Sequence, residues 1–256
     1  MTMLTALFRL EESSLIIRKM PRRVSALSVR IARYYSANGF SQSLRRAAHV
    51  VVRRPLRAAR YLTEWQVDCK YGITTRGRYS PNASHELHGE RHPYQPVPLN
   101  RMVRIINSLG LQLSKYWFID LGSGMGGALI VAATMGFRGC IGIEFDITLT
   151  EIARGNVASL RLRDPDAASR ITLLNQDAGE YVFPQGVPLV VFLFNPFGPE
   201  TLRIVISNLT DSLAASGQEA FIIYYYPTQS FVIAEFPLFA VVSINDKCAI
   251  YRYVSS

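Results

Sequence analysis

The chain has 256 residues, of which 49% are hydrophobic, and its formal net charge is +9 at pH 7. Such a length fits one large α/β domain with an extension, and such a hydrophobic content excludes an intrinsically disordered chain. No apolar run approaches the roughly 18 residues that a membrane-spanning helix needs. The three cysteines are scattered and odd in number, which favours buried thiols in a reducing compartment over a disulfide framework.

The positive charge is concentrated near the N-terminus. Residues 1–60 carry 13 basic and two acidic side chains, a net charge of +11, which leaves −2 for residues 61–256. We predict a basic helical extension over residues 1–66. Three uses for it stay open: weak contact with an anionic membrane or nucleic acid, an organellar transit peptide, or a solvated helix packed on the domain. The last is favoured, and we expect a cytoplasmic protein, with peripheral membrane contact and organellar targeting as alternatives.

Residues 67–97 contain several glycines and prolines and are predicted to be irregular. Three histidines, His85, His88 and His92, lie there at short spacing, and imidazoles at short spacing can converge on zinc. Their spacing matches no familiar ligand pattern, and no cysteine is adjacent. We therefore expect a solvated loop and no metal site.

The most informative stretch is FIDLGSGMGG, residues 118–127. It starts as the apolar end of a strand, continues with Asp120 and four glycines, and leads into an apolar helix over residues 128–133. Glycine lets the backbone approach a ligand closely, and the first turn of a helix offers free N–H groups. The layout therefore predicts a nucleotide-type site.

Two alternatives to a nucleotide-type site are compatible with this stretch. Gly122, Gly124 and Gly127 also satisfy the dinucleotide pattern G-x-G-x-x-G. Asp120 argues against it, because a carboxylate at the strand tip would repel a pyrophosphate and would suit a cationic ligand. A glycine turn without any ligand is disfavoured, because glycines between a strand and a helix usually mean close backbone approach.

Further strands and helices are predicted in alternation, which is typical of a parallel sheet. The predicted strands are 116–121, 140–145, 171–175, 189–194, 220–226, 239–244 and 249–254. Longer helices are predicted over 98–109, over 147–162 and from Pro199 to Gly217. Polar residues follow three of the strands, at Glu144, Asp177 and Asn195. The carboxyl ends of parallel strands line one crevice, so these side chains are expected near the glycine turn.

The acid followed by alternate glycines resembles motif I of the class I S-adenosylmethionine (SAM)-dependent methyltransferases. The chain looks closest to small bacterial members of unassigned substrate. The resemblance covers about residues 98–254 of a domain predicted over 98–256, and it implies a Rossmann-like, doubly wound, mostly parallel seven-stranded sheet. Its implied strand order is 3-2-1-4-5-7-6, with the last strand antiparallel. It also implies SAM as the cofactor, whose ammonium and sulfonium groups are the cations that Asp120 would suit.

The resemblance carries over to particular residues. Glu144, 20 residues past Gly124, would accept hydrogen bonds from the ribose hydroxyls, and Asp177 would bind the adenine amino group. Residues 67–97 would be a lid over the cofactor. The full set of implied cofactor-binding residues is Asp120, Gly122, Ser123, Gly124, Met125, Gly126, Glu144, Phe145, Asp177, Ala178 and Asn195.

Asn195 and Phe197 are the predicted catalytic residues, in the loop Asn-Pro-Phe-Gly after the fourth strand. In the amino-group methyltransferases that this loop resembles, the order is Asn or Asp, Pro, Pro, aromatic. Here Phe197 comes one position early and Gly198 takes the aromatic's place, which leaves amine methylation open. An alternative is that Asn195 caps the turn or the following helix.

The implied function is transfer of a methyl group from SAM to an unidentified nitrogen or oxygen nucleophile. A non-catalytic SAM-binding protein and, with less support, a NAD(P)-binding oxidoreductase are the alternatives. Methyl transfer from labelled SAM separates the first from both others.

Overall fold

The structure is a computed structural model that describes residues 68–75, 95–245 and 247–254. The basic extension over 1–66 and the three histidines of the predicted loop lie outside the described residues. The division into 1–66, 67–97 and 98–256 therefore stays a prediction. Within the described part of the chain, no helix combines the length and the apolar character needed to cross a membrane.

Seven strands form one sheet in the order β3-β2-β1-β4-β5-β7-β6. Their bounds are Trp117–Leu121 (β1), Gly139–Glu144 (β2), Ile171–Asn175 (β3), Leu189–Leu193 (β4), Ala220–Tyr225 (β5), Phe239–Ile244 (β6) and Cys248–Tyr253 (β7). The pairs among β1 to β5 are parallel, and β7 is antiparallel to both β5 and β6. The predicted Rossmann-like fold class and strand order are confirmed, and each strand lies within one residue of its predicted bounds.

Helices cover both faces of the sheet. Their bounds are Leu99–Ser108 (α1), Gly127–Thr134 (α2), Ile147–Arg161 (α3), Pro165–Ser169 (α4), Pro199–Ser216 (α5) and Ser230–Ile233 (α6). The four longer helices were predicted, and the two short ones, α4 and α6, were not. In a four- or five-residue helix no apolar repeat accumulates, so the sequence carries no periodic signal there.

The core has two layers because side chains alternate along a strand. On β1, Phe118 packs with Leu129 of α2 in one layer, while Ile119 packs with Val205 of α5 in the other. β4 is buried along its whole length, as its continuous apolar run predicts. In α3, Val157 is buried and Ile152 is half-buried.

Helix ends follow the local sequence. Asp146 caps α3 by accepting hydrogen bonds from the backbone N–H groups of Thr148 and Leu149. Gly217 follows α5 with a left-handed φ of 64°, which an L side chain adopts rarely. The three cysteines are free thiols. Cys140 and Cys248 are buried as expected, and Cys69 is exposed.

Strand register fixes where the functional edge lies. Leu121 at the end of β1 pairs with Ile143 of β2 and with Leu193 of β4. The residues that follow these three strands therefore emerge side by side at one edge, which we call the carboxyl edge. The glycine turn, Glu144 and Asn195 all lie there.

Candidate functional site

The glycine turn between β1 and α2 is anchored on the neighbouring strand. The backbone N–H groups of Gly122 and Ser123 both donate to the carbonyl oxygen of Ile143, at 2.9 and 3.0 Å. Gly126 is the N-cap of α2 with a left-handed φ of 78°, and no side chain caps this helix. The first turn of α2 therefore directs N–H groups without a side-chain cap toward the site.

Pro196 packs directly on the glycine turn. A Cβ atom at Gly122, whose φ is +75°, would lie 2.5 Å from Cβ of Pro196. A side chain at position 122 is thus excluded twice, by the backbone conformation and by the neighbouring loop. The predicted cofactor residues and the predicted catalytic loop are consequently in contact.

Two carboxyl groups lie at the carboxyl edge beside this turn. Asp120 is 4% exposed. Burial raises its pKa to about 8, and the nearby charge of Glu144 adds to the effect. Burial also raises the pKa of Glu144, although hydrogen bonds from the backbone of Asp146 and Gly124 oppose the rise. A cation placed between these groups would relieve the cost of ionising them.

Glu144 braces the glycine turn. One carboxylate oxygen accepts from the N–H of Gly124 at 2.8 Å, and the other accepts from the N–H of Asp146 at 2.9 Å. Each ionised oxygen keeps capacity for a second hydrogen bond. A role in binding ribose hydroxyls therefore fits this geometry and stays a prediction.

Asn175 was missed by sequence reasoning. Its side-chain amide donates to the carbonyl oxygens of Glu144 and Phe145, at 2.9 and 2.8 Å, and so holds the loop after β2. The Phe145 side chain is 41% exposed at that loop. An asparagine at a strand end was the available signal, because asparagine often bonds nearby backbone in turns.

Asp177 and Ala178 lie at the end of β3. One carboxylate oxygen of Asp177 accepts from the N–H of Gly179 at 2.7 Å, which starts the 3-10 turn Ala178–Glu180. Ala178 is 8% exposed. Asp177 thus has a structural task, and its predicted bond to an adenine amino group stays a prediction.

Ser123 is buried below the turn with an orphaned hydroxyl. The Ser123 Oγ atom has no hydrogen-bond partner in the described part of the chain. A Cβ at Gly142 of β2 would lie 2.8 Å from that atom, which is too close. The glycine at this position therefore leaves room for the hydroxyl. A buried polar atom without a partner in a glycine cradle fits a site built for a ligand.

Asn156 of α3 joins the turn to the segment that precedes α1. Its amide nitrogen donates to the carbonyl oxygens of Met125 and Thr74, at 2.8 and 3.0 Å. Its amide oxygen accepts from the N–H of Thr74 at 2.8 Å. Sequence analysis did not identify these partners of Asn156.

Residues 68–75, which we call the strap, and residues 95–97 are the described parts of the predicted lid. Ile73 is 5% exposed and belongs to the core. A Cβ at Gly127 would lie 3.0 Å from Cγ2 of Thr75, so the strap touches the start of α2. The strap therefore lies against the glycine turn, and the lid role of residues 67–97 stays a prediction.

Asn195 adopts a left-handed turn with φ +45°. Its amide oxygen accepts from the hydroxyls of Tyr224 and Thr228, at 3.1 and 2.6 Å. The N-cap of α5 is Gly198, without any side-chain bond, so the helix-cap alternative for Asn195 is wrong. The turn alternative agrees with the backbone, since asparagine tolerates left-handed φ better than most residues.

Phe197 lies in the core. It is 8% exposed and packs in the layer that contains Leu202 of α5. A ring in that position contacts the interior of the domain, which does not favour the catalytic role predicted for it.

A different set of aromatic side chains lies at the carboxyl edge. We call Phe194, Tyr225 and Tyr226 the aromatic cluster. The Phe194 and Tyr226 rings stack with centroids 5.7 Å apart, and Tyr225 meets both rings edge-on. Tyr226 has φ +51°, a strained conformation for an aromatic residue, and such strain concentrates at functional sites. Sequence analysis read these residues as strand ends and missed the cluster.

Metal ligands do not converge in the described residues, where no group of three His, Cys, Asp or Glu side chains could hold an ion. The three histidines of the predicted loop lie outside this set.

No family model and no curated protein matches this sequence. Among solved structures, a putative RNA methyltransferase from Pyrococcus horikoshii has a TM-score of 0.50 and 16% identity, and the match covers 75% of this chain and 96% of that one. The glycopeptide N-methyltransferase MtfA complexed with S-adenosyl-L-homocysteine has a TM-score of 0.49 and 12% identity, covering 70% and 100%.

Magnesium protoporphyrin IX methyltransferase from Synechocystis PCC 6803, with bound SAM, has a TM-score of 0.44 and 15% identity. That match covers 62% of this chain and 78% of the other. Structural similarity at such low sequence identity shows a shared fold only. The structure with a TM-score of 0.50 is called a putative RNA methyltransferase. The chain described here shares that fold.

Proposed function

We propose that this protein is a SAM-dependent methyltransferase whose acceptor offers a nitrogen or oxygen nucleophile. The observation that carries the proposal is the buried carboxyl group of Asp120 with the half-buried carboxyl group of Glu144, beside a glycine turn that Pro196 touches. The methyltransferase fold at 0.50 TM-score agrees with it.

The site fits the charge of SAM. Its ammonium and sulfonium groups are cations, and a cation offsets the cost of keeping two carboxylates ionised in a buried place. A pyrophosphate would add negative charge beside Asp120, whose pKa burial already raises to about 8. The acidic pair therefore favours SAM over NAD(P).

Each residue would have a defined part in holding the cofactor. Asp120 would face its cationic end, and Glu144 would accept from the ribose hydroxyls with its remaining lone pairs. Asp177 would lie near the adenine, and the orphaned hydroxyl of Ser123 would gain a partner. Bound SAM supplies a methyl group activated by its attachment to a sulfonium.

The chain itself contributes binding and orientation. The strap and Asn156 hold the glycine turn in place, and the contact between Gly122 and Pro196 brings the loop after β4 beside it. Holding two reactants in the productive geometry can supply ~7–11 kcal/mol in favourable cases. Asn195 and the aromatic cluster would orient the acceptor on the β4–β5 side.

Labelled methyl transfer tests this function. The protein is incubated with SAM carrying a tritiated methyl group and a whole-cell extract, which is then separated into protein, RNA, lipid and small molecules. We expect label in one fraction with the wild type and with Ser159→Ala, a change on α3 remote from the turn. We expect none with Asp120→Ala. Binding of SAM without transfer to any fraction would favour the non-catalytic alternative.

A further inference from the structure

The hydrogen bonds around Asn195 fix which way its side-chain amide points. The backbone N–H of Gln229 donates to the Tyr224 hydroxyl oxygen at 3.3 Å. Tyr224 is 1% exposed, and its hydroxyl donates to the amide oxygen of Asn195 at 3.1 Å. The Thr228 hydroxyl donates to the same amide oxygen at 2.6 Å, and an amide oxygen has two lone pairs for two such bonds.

This orientation leaves the amide nitrogen as the part of the Asn195 side chain that the two hydroxyls do not engage. Its amide oxygen is shared by the hydroxyls of Tyr224 and Thr228. Its amide nitrogen has no hydrogen-bond partner among the residues that the structure describes, and Asn195 is half-buried rather than fully enclosed. The loop thus offers an N–H group, and not a carbonyl oxygen, to whatever lies beside it.

The aromatic cluster lies next to this donor. In the β4–β5 register Leu193 pairs with Tyr224, so Phe194 and Asn195 emerge beside Tyr225 and Tyr226. Tyr226 is 36% exposed and stacks on Phe194, which presents an aromatic surface at the carboxyl edge. Aromatic rings prefer offset-stacked or edge-on aromatic partners.

We infer that the methyl acceptor is a planar aromatic group that packs against Tyr226 and presents a hydrogen-bond-accepting oxygen or ring nitrogen to the Asn195 amide. This inference rests on the proposed function, because the group bound here is a methyl acceptor only if the protein transfers methyl groups. It differs from amine recognition in the amino-group methyltransferases that this loop resembles, where the first side chain of the loop accepts a hydrogen bond from the target nitrogen. Here Phe197, the aromatic residue of the loop, is buried, and a neighbouring strand supplies the exposed ring.

Three bicyclic probes of nearly equal shape test the inference. Quinoline carries a ring nitrogen that accepts a hydrogen bond, naphthalene carries no polar atom, and 2-naphthylamine carries a donor. Their dissociation constants are measured by ligand-observed NMR on the full chain with S-adenosylhomocysteine present and absent. We expect quinoline to bind the wild type about tenfold more tightly than naphthalene, the factor that one hydrogen bond supplies.

Asn195→Asp is the matched variant, because it keeps the shape and can still accept from Tyr224 and Thr228. It replaces the outward N–H by an oxygen. Quinoline should lose about tenfold in affinity on this change, 2-naphthylamine should gain, and naphthalene should not change. Tyr226→Asn tolerates the left-handed backbone and should weaken all three probes.

Equal affinity of quinoline and naphthalene for the wild type overturns the inference, as does a quinoline affinity that Asn195→Asp leaves unchanged. Thermal melting of each variant verifies that it is folded. The proposed function is tested separately by the melting shift with S-adenosylhomocysteine. A preference for quinoline without that melting shift would contradict the proposed function and support the aromatic subsite. A melting shift without the preference would support the proposed function and contradict the subsite.

Discussion

At the scale of single residues, a few buried side chains hold the site together. Asn156 uses both amide atoms to join Thr74 of the strap to Met125 of the glycine turn. It is 5% exposed, so its bonds form away from competing water. Removing such a side chain leaves backbone groups that no nearby residue can satisfy.

We predict that Asn156→Ala lowers the free energy of unfolding by about 1–3 kcal/mol, the cost of leaving buried polar groups unpaired. It should also weaken binding of S-adenosylhomocysteine, because the glycine turn loses its tie to the strap. Chemical denaturation and calorimetry measure the two effects. Ser159→Ala on the same helix is the control, since its hydroxyl bonds its own helix at the surface. Equal stability of the two variants would refute the bracing role of Asn156.

At the scale of elements, the site is made where two β-to-α connections touch. The turn after β1 and the loop after β4 meet at Gly122 and Pro196, because β1 and β4 are adjacent and in register. The contact needs glycine at position 122 for space and for its φ of +75°. The contact between the loop after β4 and the glycine turn is therefore a property of the pair of connections, and not of either alone.

We predict that Gly122→Ala costs clearly more stability than Gly110→Ala. Gly110 has a similar φ of +64°, but a Cβ there would meet nothing within 4 Å. Gly110→Ala should therefore cost only the left-handed backbone strain, about 1–2 kcal/mol. Gly122→Ala adds the clash with Pro196 and should also reduce binding of S-adenosylhomocysteine. Denaturant midpoints compare the stability of the two variants, and melting shifts compare their ligand binding. Equal losses in the two variants would mean that Pro196 moves away from the added methyl group without cost.

At the scale of the whole molecule, most of the fold could be predicted from the sequence. Continuous or periodic apolar runs predicted every strand and each longer helix, and glycine or proline marked many of their ends. Strand order came from resemblance, since periodicity does not say which strands pair. The short helices α4 and α6 were missed because they carry no repeat.

A site residue could be predicted from the sequence where its residue type and its position at the end of a strand were enough to indicate its role. Asp120 and Glu144 were expected beside the glycine turn, and the structure brings them together. What could not be predicted depends on contacts between distant positions. Asn156 reaches Thr74 across 82 positions, and Asn195 meets Tyr224 across 29. The burial of Phe197 and the exposure of Tyr226 depend on the same kind of packing.

The central claim is that the carboxyl edge binds a cationic cofactor through a buried acid. The pKa of Asp120 is raised to about 8, so at pH 7 the free protein holds this group mostly protonated. A bound cation favours the ionised form, so binding should release a proton, and affinity should rise as pH increases from about 6 to 8.

Calorimetric titration with SAM, in two buffers of different ionisation enthalpy at pH 7, is the most direct test. We predict binding with net proton release for the wild type, growing tighter toward pH 8. For Asp120→Asn, which preserves the volume without the charge, we predict weaker binding and loss of the release that Asp120 contributes. An absence of binding to the folded wild type, or equal binding and equal proton release by both proteins, would contradict the account.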